Sequence, residues 1–176
     1  EIIFKLKKDD VKLLIECGIG TNNPNLPSSM GAKGQPGASL KMWRDYFPNA
    51  NIIGVDIDKD ILFSENRILT YQCDQTDKIS IENFLNSANL KKNSVDIIID
   101  DGLHIFEAGK IFFENTIDYL GKNGFYIIED VGLKDVILYK NYFSQLKNLY
   151  SIHFFNLKTP TKERDDYNRL IIISKN

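Results

Sequence analysis

Short, continuous apolar runs alternate along this chain with stretches of helical periodicity. Leu13–Cys17, Asn51–Asp56, Leu69–Cys73, Val95–Asp100 and Gly124–Glu129 are bounded by turn residues and read as strands buried on both faces. Helices are expected between them. Ala38–Phe47 sets Leu40, Trp43, Tyr46 and Phe47 on one face, and Pro48 stops it. Ile79–Leu85 is a short amphipathic stretch. Ile105–Leu120 carries Ile105, Ala108, Ile111, Phe112, Asn115 and Tyr119 at helical spacing before the Gly121–Gly124 stop, and Val136–Leu146 follows.

Strand–helix alternation predicts an α/β fold with a doubly wound, mostly parallel sheet, its right-handed crossovers covering both faces. The tail breaks the rhythm. Ser151–Asn156 and Arg169–Ser174 are strand-like, separated by the polar stretch Lys158–Asn168, and predict an antiparallel hairpin at the sheet edge. The whole is expected to be a seven-stranded sheet with an antiparallel C-terminal strand, forming one domain over residues 1–176. Thr21–Gly37 fits no element. It holds Pro24, Pro27, Gly31, Gly34, Pro36 and Gly37, and a loop of that length leaving the first strand reads as a lid over a ligand.

Composition narrows the class. With 22 Lys+Arg against 24 Asp+Glu, the chain lacks the basic excess of a nucleic-acid module. Its apolar runs are too short to span a bilayer, and it opens without a charged-then-apolar leader. A cytoplasmic protein is expected, with Cys17 and Cys73 as reduced core residues.

Ligands of open α/β sheets bind beyond the carboxyl ends of the strands, so the polar residues there carry the chemistry. The first strand ends Glu16-Cys17-Gly18-Ile19-Gly20, with Gly18 and Gly20 giving a close backbone approach. Glu16 would repel a phosphate and attract a cationic ligand. Asp56, ending the second strand, can accept both hydroxyl hydrogens of a ribose. Asp74, after the third, can reach an adenine amino group. Together they read as a nucleoside site. The fourth strand delivers Asp100-Asp101 with His104 beyond, and the fifth delivers Glu129-Asp130. Carboxylates crowded in one crevice repel, and a hard divalent ion would relieve them, Mg²⁺ or Mn²⁺ given oxygen ligands. The alternative is that some cap helices or pair with Arg44 or lysines. His104 suits proton removal at neutral pH; His153, in the terminal strand pattern, reads as structural.

The motif Glu16-Cys17-Gly18-Ile19-Gly20 followed by Gly54-Val55-Asp56 resembles class I S-adenosylmethionine-dependent methyltransferases. The segments Gly37–Pro48, Asp74–Asp77, Ile97–His104 and Tyr126–Asp130 resemble, more narrowly, the metal-dependent macrocin- and mycinamicin-type sugar O-methyltransferases. That resemblance implies an O-methyltransferase using S-adenosylmethionine and Mg²⁺ (or Mn²⁺). Its acceptor would be a hydroxyl of a sugar, polysaccharide modification or secondary metabolite. Asp101, Glu129 and Asp130 would take the metal, with His104 as base beside Asp101. Glu16, Gly18, Gly20, Ser39, Asp56, Asp74 and Asp100 would serve the cofactor. Two departures stand out: Leu103 occupies the position of the family's serine in Asp-Asp-Gly-Ser-His, and the family's upstream Thr-Asp-Lys-Gly segment has no counterpart in these 176 residues. A nicotinamide oxidoreductase, a hydroxylase-like relative and a binding module without catalysis are the competing readings. A homo-oligomer is compatible with all of them.

Overall fold

The computed structural model describes residues 4–5, 8–157 and 168–176. Its centre is one sheet. The strands are β1 (Leu13–Cys17), β2 (Asn51–Asp56), β3 (Ser64–Glu65), β4 (Ile68–Gln72), β5 (Val95–Asp100), β6 (Leu120–Ile128), β7 (Tyr150–Asn156) and β8 (Arg169–Lys175). They lie in the order β3-β4-β2-β1-β5-β6-β8-β7. The run from β4 through β2, β1 and β5 to β6 is parallel. β8 pairs antiparallel with both β6 and β7. The expected hairpin is therefore present, but its second strand is inserted and its first forms the edge. Most of the stretch expected to link them, residues 158–167, lies outside the described residues. An eighth strand, the two-residue β3, is added antiparallel to β4; so short a pairing leaves no periodicity to read.

Side-chain alternation explains the two cores. Leu14, Ile52, Ile97, Ile99, Ile127 and Ile172 face helix α1 (Ala38–Tyr46), where Leu40 and Phe47 pack on them. Ile15, Ile98, Tyr126, Ile128 and Ile171 face the other way. There they meet α2 (Lys78–Ser87), α3 (Phe106–Thr116) and α4 (Leu133–Ser144) through Phe84, Phe112, Phe113 and Phe143. Cys17 and Cys73 are buried and unbridged. Among the described residues no helix is long and apolar enough to cross a membrane.

Several boundaries differ from the sequence pattern, and two of them do so for a clear local reason. α3 stops at Thr116, whose hydroxyl donates to the Phe112 carbonyl at 2.6 Å, and a single 3₁₀ turn leads on. β6 starts at Leu120 rather than Gly124. Its pairing with β5 jumps from Val95 opposite Leu120 to Ile97 opposite Phe125, so the glycine-bounded segment is a bulge within the strand. α1 ends under Arg67, which donates to the carbonyls of Arg44, Phe47 and Ala50.

Gly109 sits inside α3, where glycine costs about 1 kcal/mol relative to alanine. The space explains it: a Cβ there would lie 2.0 Å from the Tyr139 hydroxyl oxygen. Gly109→Ala should therefore destabilise the protein by about 1–3 kcal/mol despite its better helix propensity. Adding Tyr139→Phe to that variant should recover part of the loss. Urea unfolding of the two variants and the parent checks this; an unchanged or raised midpoint for Gly109→Ala would refute the steric account.

Candidate active site

Parallel pairing brings the carboxyl ends of β1, β5 and β6 side by side. Cys17 stands opposite Asp100, the Asp101 amide donates to the Cys17 carbonyl at 2.9 Å, and the Glu129 amide donates to the Asp100 carbonyl at 2.9 Å. Across this edge opens a cavity of about 930 Å³. Gly18, Gly20, Ser39, Asp56, Asp74, Asp101, His104 and Asp130 all line it.

The nucleoside-side acids are held by backbone donors. Asp56 is buried and accepts from the amides of Ile19 (2.9 Å) and Asp58 (2.9 Å), tying the turn after β1 to the end of β2. Asp74 accepts from the amide and hydroxyl of Thr76. The two glycines line the cavity and also pack closely against the protein's own chain. Gly18, at φ 85°, has its Cβ position occupied by the Asp101–Gly102 main chain, 2.2 Å from the Asp101 carbonyl oxygen. Above Gly20, at φ 82°, stands the Met30 side chain, 2.5 Å from a built Cβ. Both glycines therefore admit the protein's own chain closely.

The segment Thr21–Gly37 forms a closed loop over the cavity. Its start is fixed by the Thr21 hydroxyl donating to Asp58, its end by the Gly37 amide donating to the Ile19 carbonyl at 2.8 Å. Pro27, Ser28, Met30, Lys33 and Gln35 line the cavity from this loop.

Asp101, His104 and Asp130 come together, with one candidate ligand atom from each lying within 4.8 Å of the others. His104 (φ 60°) and Asp130 (φ 49°) both adopt the left-handed conformation, uncommon outside glycine and a mark of a constrained site. Glu129 falls outside that group. It instead faces Asp101 and Glu16, continuing the strand face of Ile127, Ile99 and Leu14. Glu16 is 2% exposed and does not line the cavity; its Oε2 and the nearby Trp43 Nε1 are both buried without partners. Asp100 likewise lies below the large cavity rather than on its wall.

Burial and mutual repulsion dominate the electrostatics. The Asp101 carboxyl is pushed up to about 8 by burial and then by Glu129, Glu16, Asp130 and Asp100. Glu16 rises to about 7, mainly through burial, against the pull of Ser39. Asp100 rises to about 6 by burial, and Glu129 is raised by burial and Asp130. His104 moves down because burial outweighs the Asp130 charge. Among the described residues no salt bridge involves Glu16, Asp101, Glu129 or Asp130; Arg44 is engaged with Asp45 and Glu65.

Sequence reasoning did not single out Gln75. Its buried amide donates to Asp100 Oδ1 at 3.0 Å and accepts from the Leu103 amide at 2.6 Å, clamping the loop that carries Asp101 and His104. Only its adjacency to Asp74 hinted at a role.

This sheet order, glycine turn and cavity at the carboxyl edge resemble those of the class I S-adenosylmethionine-dependent methyltransferases. The MycE methyltransferase, solved with Mg, SAH and mycinamycin VI, superposes with a TM-score of 0.70 at 21% identity, covering 99% of this chain and 47% of that one. Within that class the chain resembles the macrocin- and mycinamicin-type sugar O-methyltransferases. It is 36% identical over 128 residues to the 8-demethyl-8-(2-methoxy-alpha-L-rhamnosyl)-tetracenomycin-C 3'-O-methyltransferase of Streptomyces olivaceus, covering 72% of this chain and 29% of the relative. Mycinamicin VI 2''-O-methyltransferase of Micromonospora griseorubida is 37% identical over 95 residues, 54% of this chain and 23% of the relative. The matches thus span less than a third of either relative's length. No protein-family model matches the chain.

Raised carboxyl pKa values have a sign. Asp101, Glu16 and Asp100 bind protons more tightly folded than unfolded, so the stability they contribute is full below their ordinary pKa near 4 and is lost as pH rises toward about 8. Without divalent ions, the melting temperature should fall between pH 5 and pH 8. Millimolar Mg²⁺ should raise it more at pH 8 than at pH 5, and Asp101→Asn should abolish that Mg²⁺ increment. An increment of equal size in Asp101→Asn would separate the ion from this cluster.

Proposed function

We propose that this chain carries the catalytic site of an S-adenosylmethionine-dependent O-methyltransferase, assisted by Mg²⁺ or Mn²⁺ and acting on a hydroxyl of a sugar or glycosylated small molecule. One observation carries the reading: Asp101, His104 and Asp130 converge on the same cavity that Asp56 and Asp74 line. The relatives are named for methylating hydroxyls of a glycosylated tetracenomycin and of mycinamicin VI.

The residues fit both groups. Crowded carboxylates that lift Asp101 to about 8 form the oxygen-rich set a hard cation satisfies. Asp101 and Asp130 would hold the ion, with Glu129, facing Asp101, as the third carboxylate. Asp56 would accept from ribose hydroxyls and Asp74 would reach the base. Ser39 would serve the methionyl end from the cavity wall, with the buried Glu16 acting from behind it through Ser39, and Gly18 and Gly20 keep the turn beneath it tight. When bound, the cofactor supplies an electrophilic methyl group and the ion draws charge from the acceptor oxygen.

The chain's own work is alignment and proton removal. The cavity walls hold the acceptor hydroxyl near the methyl group, which favours in-line displacement. Burial keeps His104 neutral at physiological pH, so it can take the hydroxyl proton as the new bond forms. The same reading gives the protein a small-molecule or glycan acceptor rather than a nucleic acid, and a cytoplasmic location.

Transfer of a labelled methyl group from S-adenosylmethionine to a panel of glycosylated acceptors tests the proposal. Activity should require Mg²⁺ or Mn²⁺ and vanish in excess EDTA. His104→Ala should lower turnover about 10²–10⁴-fold. Hydride transfer from NADH, or full methyl transfer in EDTA, would overturn it.

A further inference from the structure

A second, much smaller cavity lies on the α3–α4 side of the sheet. Its volume is about 10 Å³, room for about one water molecule. Asp100, His104, Glu129 and Tyr139 line it together with Ile128 and Val131.

The polar groups around it are only half satisfied. Asp100 is 3% exposed, and its Oδ1 already accepts from Gln75 Nε2 at 3.0 Å and from the Gly102 amide at 3.3 Å. Its Oδ2 has no partner, and neither has the buried Nδ1 of His104. A buried carboxylate oxygen or ring nitrogen left bare is costly, so both call for a partner that fits. Tyr139 brings a hydroxyl to the same place. The Cβ position of Gly109 is 2.0 Å from that oxygen and 3.1 Å from Asp100 Oδ2, so the glycine in α3 makes the approach of the two groups sterically feasible.

We propose that Asp100 is a positioning residue that orients His104 through one water held in this void. The water donates to Asp100 Oδ2 and accepts from His104 Nδ1–H, with the Tyr139 hydroxyl as a further partner. A proton fixed on Nδ1 leaves Nε2 bare, and the ring also lines the large cavity where the acceptor would sit. Which nitrogen carries the proton is decided by what the other nitrogen's neighbourhood offers. The catalytic consequence rests on reading His104 as the base; the tautomer itself does not. The main chain of Glu129 also faces the ring and is the rival partner for Nδ1.

Asp100→Asn separates the two. Gln75 and Gly102 still require an acceptor at the Oδ1 position, so the new amide nitrogen must take the Oδ2 position and donate to the water. The water then donates to Nδ1, and the ring proton moves to Nε2. Nitrogen–proton correlation spectra of the imidazoles, recorded with the ring neutral, read this directly. His153, the chain's other histidine and exposed on β7, serves as the internal reference. The expected result is an Nδ1–H tautomer for His104 in the parent and an Nε2–H tautomer in Asp100→Asn, with His153 unmoved. In methyl transfer, kcat should then fall about 10²–10⁴-fold at unchanged KM. An Nε2–H tautomer in the parent, or Nδ1–H retained in Asp100→Asn, would overturn the proposal, the latter in favour of Glu129. Should that variant fail to fold, a high-resolution crystal structure of the parent decides: a water bonded to both Asp100 Oδ2 and His104 Nδ1 supports the proposal, and a dry void defeats it. If the parent binds no S-adenosylhomocysteine at all, the methyltransferase reading fails while the tautomer result still stands.

Discussion

Repulsion among carboxylates that cannot move apart governs the working end of this molecule. Parallel pairing of β1, β5 and β6 fixes where Glu16, Asp101, Glu129 and Asp130 emerge. Asp101 and Asp130 bring carboxylate oxygens within 4.8 Å of each other, and at an effective dielectric of about 20 two like charges that close cost about 3 kcal/mol. Burial is the larger reason Asp101 and Glu16 hold their protons so tightly, and the neighbouring carboxylates add to it. A protein gains nothing in stability from this arrangement. It makes sense as an anchorage for positive charge, and the remaining features of the site keep it in place.

Three clamps do so. Asp56 grips the turn after β1 through the Ile19 amide, Gln75 grips the loop after β5 through Leu103 and Asp100, and Gly18 lets those two loops touch. All three join main chain to side chain or main chain across different strands. The left-handed backbone at His104 and Asp130 is tolerated within this frame. The loop Thr21–Gly37, fastened at both ends, closes the cavity from above.

The strands, the helix stopped by Pro48 and the acids at the strand ends were legible because each rests on a local pattern of hydrophobicity, a breaker or a motif. What was not legible depends on space. That Gly18 and Gly20 also pack against Asp101 and Met30 was not legible, because those residues are distant in sequence or within a loop of no fixed pattern. Asp100 and Asp101 look equivalent in sequence, but alternation along β5 sends one beneath the sheet edge and the other into the cavity. Glu129 keeps to the face of Ile127 and turns toward Glu16, whereas Asp130, past the end of β6 and at φ 49°, leaves the strand conformation and lines the cavity. Gln75 carried no signal of its own, since an amide that bridges two loops is defined by its partners. The start of β6 was hidden because a glycine-bounded bulge mimics a strand boundary.

The inserted position of β8 bears on how the protein is made. Among the described residues β7 pairs only with β8, and so does the far edge of β6. A ribosome delivers residues 120–156 well before 169–175, so Tyr126, Ile127 and Ile128 emerge with one row of amides and carbonyls unmatched. Until β8 arrives, that edge is an invitation to pair with another nascent chain.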